Sequence, residues 1–280
     1  MSLAGEAAGY VRSTSTTDGV PLRWLESCIA VQPDGRGSQD LPIDVVNDTL
    51  ARAAANWSSR TDSCSYLRLT TLPAAGPIDV APDGRPVMVF RDQLWERSGI
   101  AHDPGAIGLT TVFHISSPGQ PGDGTILDAD IELNGVNYTF VTEPSTTPAR
   151  PGTEVADLEN TLTHELGHVQ GLAHTCWDHA TETPPLDDQG NPIPDCDGTV
   201  PEAIQMTTMF PTAAPGEISK RMLSDDDVRG ICEVYPSSEA PPACYQEVDG
   251  GCQAQPGAPA APLWLLALAP LALVCRRKRA

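Results

Sequence analysis

Basic residues are scarce in this chain: 17 Lys and Arg stand against 37 Asp and Glu, a formal net charge of −20 over 280 residues. That balance argues against nucleic acid as a partner, because binding a phosphate backbone depends on Lys and Arg. It fits a soluble protein working outside the cell. No C-x-x-C pair occurs among the eight cysteines, which weakens any reading of them as a zinc cage. The opening residues, Met1 to Gly9, lack a basic segment followed by an apolar run, so no signal peptide is visible. A truncated gene start reconciles this with the other signs of export.

Two cysteines, Cys252 and Cys275, belong to the C-terminal tail. The other six, Cys28, Cys64, Cys176, Cys196, Cys232 and Cys244, form an even set suited to disulfides in an oxidising compartment. Fifteen connectivities are open to six cysteines. The cost of closing long loops, with chain order, favours Cys28–Cys64, Cys176–Cys196 and Cys232–Cys244.

The most informative stretch is Thr163 to Thr175, which reads H-E-x-x-H-x-x-G-x-x-H from His164 to His174. On a helix, His164 and His168 leave the same face and can share one metal ion. Glu165 is turned by about 100°, which sets its carboxylate beside the metal. Gly171 supplies the freedom to end the helix in a left-handed residue, and the turn returns His174 as a third ligand. Three neutral nitrogens leave the fourth position of a zinc ion open, the pattern of a catalytic site. At about 1 in 20 per fixed position, five fixed residues arise by chance in roughly one chain of this length in ten thousand.

The extended motif resembles that of the metzincin zinc endopeptidases, and the segment Thr207-Thr208-Met209-Phe210-Pro211 is similar to their methionine-containing turn. Pro211, two places after Met209, resembles the matrixin branch, as does the last helix near Leu223–Tyr235. This resemblance runs from about Pro21 to Pro236. It implies an α+β fold with a twisted, mixed five-stranded sheet, an antiparallel edge strand, an active-site helix and a C-terminal helix. It further implies one catalytic Zn2+ on His164, His168 and His174, with Glu165 as general base. Met209 would form an apolar floor beneath the histidines. Leu109, Thr110, Thr111 and Val112 would bind an extended polypeptide along the edge strand, and Phe210 and Pro211 would wall a pocket beside it.

The implied second, structural zinc of many matrixins is not expected here, because Thr111 and Asp130 occupy places where histidines would stand. His102, His114 and His179 read as surface or hydrogen-bonded histidines. The carboxylates Asp123, Asp128, Asp130 and Glu132 are candidate Ca2+ ligands, with a solvated acidic strand as the commoner outcome.

Periodicity gives the rest of the expected layout. A strand is expected at 22–32, followed by a helix from Leu41 to Trp57 burying Ile43, Val46, Leu50, Ala53 and Trp57. Strands are expected at 66–72, 86–90, 108–114 and 125–134. A proline- and threonine-rich loop follows at 143–152, then the active-site helix from about Val155 to Gly171. The last helix should start at Ser224, capped by Ser224 and Asp227 as a pair.

The domain plan is an N-terminal extension at 1–20 and a catalytic domain at 21–236, divided into an upper part (21–171) and a lower part (172–236). A Pro/Ala/Gly-rich linker follows at 237–262 and a hydrophobic segment with a basic end at 263–280. The last segment is short for a transmembrane helix and is interrupted by Pro270. Together with Gly251-Cys252 it resembles the myxobacterial sorting tail, which implies processing at Cys252 and attachment to a membrane or cell surface. The expected protein is a monomeric, extracellular or surface-bound metalloendopeptidase acting on polypeptides. Its rivals are an inert matrixin-like binding or adhesion protein and a zinc amidase acting on a cell-wall polymer.

Overall fold

The computed structural model describes residues 9–16 and 19–241, together with the backbone of residues 268–277. In chain order the elements are β1 (Val11–Arg12), β2 (Cys28–Pro33), α1 (Ile43–Thr61), β3 (Arg68–Thr71), β4 (Val87–Phe90), β5 (Glu96–Arg97), β6 (Ile100–Ala101), β7 (Ala106–Ile115) and β8 (Ile126–Leu133). They continue with β9 (Tyr138–Val141), β10 (Glu154–Asp157), α2 (Leu158–Val169), β11 (Leu172–Ala173), α3 (Glu202–Gln205), β12 (Thr212–Ala213), α4 (Asp225–Val234) and β13 (Leu268–Arg277).

Five strands form the mixed sheet on which the molecule is built, in the order β7-β8-β4-β2-β3. β2 pairs in parallel with both β3 and β4, and β4 with β8, whereas β7 runs antiparallel to β8. The parallel centre explains why Val87, Met88 and Val89 form an unbroken apolar run, since all three are buried. Helices α1 and α2 pack with the sheet in one core that includes Val46, Leu50, Trp57, Met88, Ile131, Leu158 and Leu162.

α1 begins one residue after Pro42 and continues to Thr61, four residues beyond the expected end at Trp57. Ile43, expected in its buried face, is 37% exposed. The first expected strand is shorter than its sequence pattern: Leu22 and Trp24 are buried, but only Cys28–Pro33 forms the strand. The helix expected from Val155 starts instead at Leu158, because Glu154–Asp157 pair in parallel with Tyr138–Val141 as β9 and β10. Asp157 then caps α2 by accepting from the Asn160 N–H at 2.8 Å.

The edge position expected for β7 is filled. β13 runs antiparallel along it and is itself paired in parallel with β12, so the sheet continues to seven strands. Unpaired N–H and C=O groups on a sheet edge recruit another strand, and here the chain supplies its own.

Disulfides join Cys176 to Cys196, as expected, and Cys64 to Cys232. The second bond overturns both Cys28–Cys64 and Cys232–Cys244. The end of α1 and the end of α4 are brought together by tertiary pairing, with the Tyr66 N–H donating to the Tyr235 carbonyl at 2.9 Å. That proximity outweighs the small entropic preference for short loops. Cys28 is disulfide-bonded as well. Cys244 and Cys252, with the processing expected at the latter, lie outside the described residues. Among the described residues no helix is long and apolar enough to cross a membrane.

Candidate metal centre

α2 carries His164 and His168 one turn apart, and both are fully buried. The helix is held by groups from distant parts of the chain. Trp57 Nε1 donates to the Thr163 carbonyl at 2.9 Å, and Trp24 Nε1 to the Val169 carbonyl at 2.7 Å. The Tyr235 hydroxyl donates to the Gln170 carbonyl at 2.7 Å, satisfying an acceptor that the helix end leaves free. Gly171 follows at φ +90°, and a Cβ there would stand 3.2 Å from the Leu22 carbonyl oxygen. Only glycine takes that conformation in so little space. The chain turns, β11 forms, and His174 comes back toward the helix.

The three imidazoles meet through their Nε2 atoms. His168 Nε2 lies 3.1 Å from His164 Nε2 and 3.1 Å from His174 Nε2. Each Nδ1 faces an oxygen: the Thr208 carbonyl at 2.7 Å for His164, the Leu172 carbonyl at 2.8 Å for His168, and Asp178 Oδ2 at 3.0 Å for His174. A carbonyl can only accept, so in His164 and His168 the proton belongs on Nδ1, and the Asp178 carboxylate favours the same tautomer in His174. Three lone pairs are then aimed at one another across a distance that would otherwise be repulsive. A cation at their meeting point resolves this, and ligands about 2.0–2.1 Å from a tetrahedral zinc would sit at similar mutual spacing. These three histidines thus form a group that could hold a metal ion.

Burial, and then the neighbouring rings, holds the imidazoles of His164 and His168 well below their ordinary pKa, which keeps them neutral and ready to ligate. Glu165 is fully buried beside them. Its Oε2 accepts from the Thr110 hydroxyl at 2.6 Å, whereas Oε1 has no hydrogen-bond partner. Burial pushes this carboxyl up to about 8, and the Thr110 hydrogen bond acts against that rise. A dication at the histidine cluster would act in the same sense as Thr110, favouring the carboxylate.

Met209 lies against α2 at Gly167. A Cβ on Gly167 would fall 3.1 Å from Met209 Cε and 3.2 Å from Trp57 Cζ2, and closer still to Met209 Sδ. The turn that carries Met209 is fixed from the far side by α4. The Thr208 N–H donates to Asp227 Oδ2 at 2.9 Å and to Ser224 Oγ at 3.1 Å. Ser224 and Asp227 therefore hydrogen-bond each other and the turn, and do not make the expected reciprocal cap on α4.

The expected binding residues divide by strand alternation. Gly108 and Thr110 face Glu165, while Leu109 packs with Trp95 and Ala106 on the other face. Thr111 accepts from Arg97 Nη1 at 3.1 Å, and Val112 is part of the main core. Phe210 is buried with Cys176 and Val200, and Pro211 is buried next to it.

The four acidic candidates for calcium are each engaged separately. Asp123 accepts from the Ser117 N–H, Asp128 from those of Asp83 and Gly84, and Asp130 from those of Ala81 and Val87. Glu132 pairs with Arg91 and Arg97. Among the described residues they make no metal-holding group. His114, read as a surface or hydrogen-bonded residue, is fully buried in β7, and among the described residues neither ring nitrogen has a partner. His102 stacks edge-on against Trp95 and lies 3.6 Å from Glu132. His179 is exposed, as expected, but stands 3.2 Å from Asp195 and 4.0 Å from Asp197, a second and open group of potential ligands.

No family model and no curated protein matches the chain.

Proposed function

We propose that this chain is a zinc-dependent endopeptidase of the metzincin type, exported and acting on extended polypeptides. One observation carries the reading: three buried imidazoles converge through Nε2 with their Nδ1 atoms tied to oxygens, and a buried carboxylate oxygen without a partner stands beside them. A metal-binding protein with no chemistry to perform has no use for that carboxylate, whose burial costs free energy. The disulfides agree with an oxidising compartment.

His164, His168 and His174 would hold the metal. A divalent ion there would supply a Lewis acid and lower the pKa of a water. Glu165, through Oε1, would be the general base that accepts a proton and later donates it to the leaving amine nitrogen. Thr110 keeps Oε2 occupied, so the carboxylate presents one defined oxygen. With β13 off the edge, the backbone of β7 would offer a peptide the N–H and C=O groups of a sheet edge, which would select extended chains with little regard to side chain.

The test is a peptide-library digest by the zinc-loaded protein, with and without a chelator, set beside Glu165→Ala. Retained zinc and a loss of hydrolysis of about 10²–10⁴-fold in the variant support the reading. Equal inertness of both proteins on a broad library, once β13 no longer pairs with β7, would favour the binding-protein alternative. Cell-wall polymer cleavage without peptide cleavage would favour an amidase.

A further inference from the structure

We infer that Leu268–Arg277 is the chain's own occupant of the groove between β7 and β12, and that it blocks strand addition there. The inference takes its functional meaning from the peptidase reading above. The occupancy itself stands on backbone register alone.

β13 is paired on both sides. Its residues run antiparallel to β7 from Leu268 opposite Ile115 to Arg276 opposite Ala106. On its other side Arg276 and Arg277 pair in parallel with Thr212 and Ala213 of β12. It therefore fills the full length of the edge that a bound peptide would use.

The register also brings it past the reactive carboxylate. Leu273 pairs with Thr110, whose hydroxyl bonds Glu165, and Cys275 pairs with Gly108. At Gly108 the place of a Cβ is only 2.5 Å from Glu165 Oε1. A substrate backbone laid on β7 needs the same N–H and C=O groups at the same residues, so the two cannot bind together. Residues 242–267 connect the last described residue of the domain to β13. A segment carried by the same chain competes with a separate peptide intramolecularly, without the cost of bringing two molecules together.

Pro270, opposite Phe113, has no N–H, but strand alternation turns that position away from β7, so the ladder to β7 loses no donor there, whereas Leu271 and Leu273, opposite Val112 and Thr110, face β7.

The experiment uses the full, zinc-loaded chain and two variants. Leu271→Pro with Leu273→Pro removes two donors that face β7. Leu271→Val with Leu273→Val keeps them. Hydrogen exchange is read on the amides of residues 108–114, and peptide hydrolysis on the same samples. Zinc content confirms that the site is intact, and the single prolines serve if the double variant is poorly folded.

The expected result is exchange at least about ten-fold faster across 108–114 in the proline variant, with the valine variant unchanged. Hydrolysis should rise by about ten-fold or more in the proline variant alone. Unchanged exchange in every proline variant would overturn the inference, as would equal hydrolysis by all three proteins. Faster exchange with no hydrolysis by any of them would uphold the occupancy while removing the peptidase reading.

Discussion

Thr110 and Glu165 meet across the gap between β7 and α2, hydroxyl to carboxylate, at 2.6 Å. Both are fully buried, and the contact leaves Glu165 Oε1 as its only free oxygen. Strand and helix are thereby joined at the atom on which the proposed chemistry depends.

Thr110→Val keeps the volume and removes the donor. Because the hydrogen bond lowers the pKa of Glu165, its loss raises it further. The acid limb of the rate profile should move to higher pH, with turnover falling by about ten-fold at neutrality and KM little changed. Steady-state rates from pH 5 to 9 check it.

Asp178 holds His174 through Nδ1 at 3.0 Å. Asp178→Ala frees that ring to rotate and removes the carboxylate that enriches its Nε2. Zinc affinity should weaken by about 10–100-fold while the fold is kept. Competition with a chromophoric chelator measures the first, and circular dichroism the second.

Gly167→Ala places a methyl group where Met209 and Trp57 already lie. Overpacking of this kind costs about 1–3 kcal/mol. The denaturation midpoint should fall, and Met209→Ala in the same chain should recover part of the loss. A double-mutant cycle on denaturation midpoints reads the coupling.

Asp130 is fully buried, and its carboxyl is pushed up to about 8 by desolvation first and by Asp128 second. Its ordinary value is 3.8, so at pH 7 the folded chain holds a proton that the unfolded chain has released. The unfolded state thus binds fewer protons, and stability must fall as pH rises toward about 8 and level off above it. The buried histidines act in the opposite sense, but only on the acid side of their ordinary 6.5. Glu165, raised to about 8, and Asp227, raised to about 7, release protons over much of the same range, so the share of Asp130 is the difference between two profiles. Urea midpoints should decline as pH rises from 7 toward about 8, and Asp130→Asn should make that decline shallower.

The group of three histidines that could hold a metal was legible in the sequence because helix geometry turns a spacing of four residues into a shared face, and Gly171 announces the turn that returns His174. Met209 was legible only through resemblance. The oxygens that orient the imidazoles were not legible: two are backbone carbonyls, Thr208 and Leu172, which any residue would supply. Thr110 looked like one residue of a strand, and only the packing of β7 on α2 shows that it faces Glu165 and Thr111 does not. The start of α2 was misplaced because Val155 fits the helical stripe by period, while its backbone is committed to β9. The cysteine pairing failed for a related reason, since closure entropy separates the candidates weakly and the docking of α4 on α1 decides.

The bond between Cys64 and Cys232 has a mechanical consequence. It ties the end of α1, in the half that carries the sheet, to α4, in the half that follows Gly171. Histidine ligands come from both halves, so a hinge that opened the gap would have to stretch a covalent link. On the peptidase reading proposed above, a gap pinned in this way would take a chain already one strand thick, and any larger target would have to be unravelled before arrival.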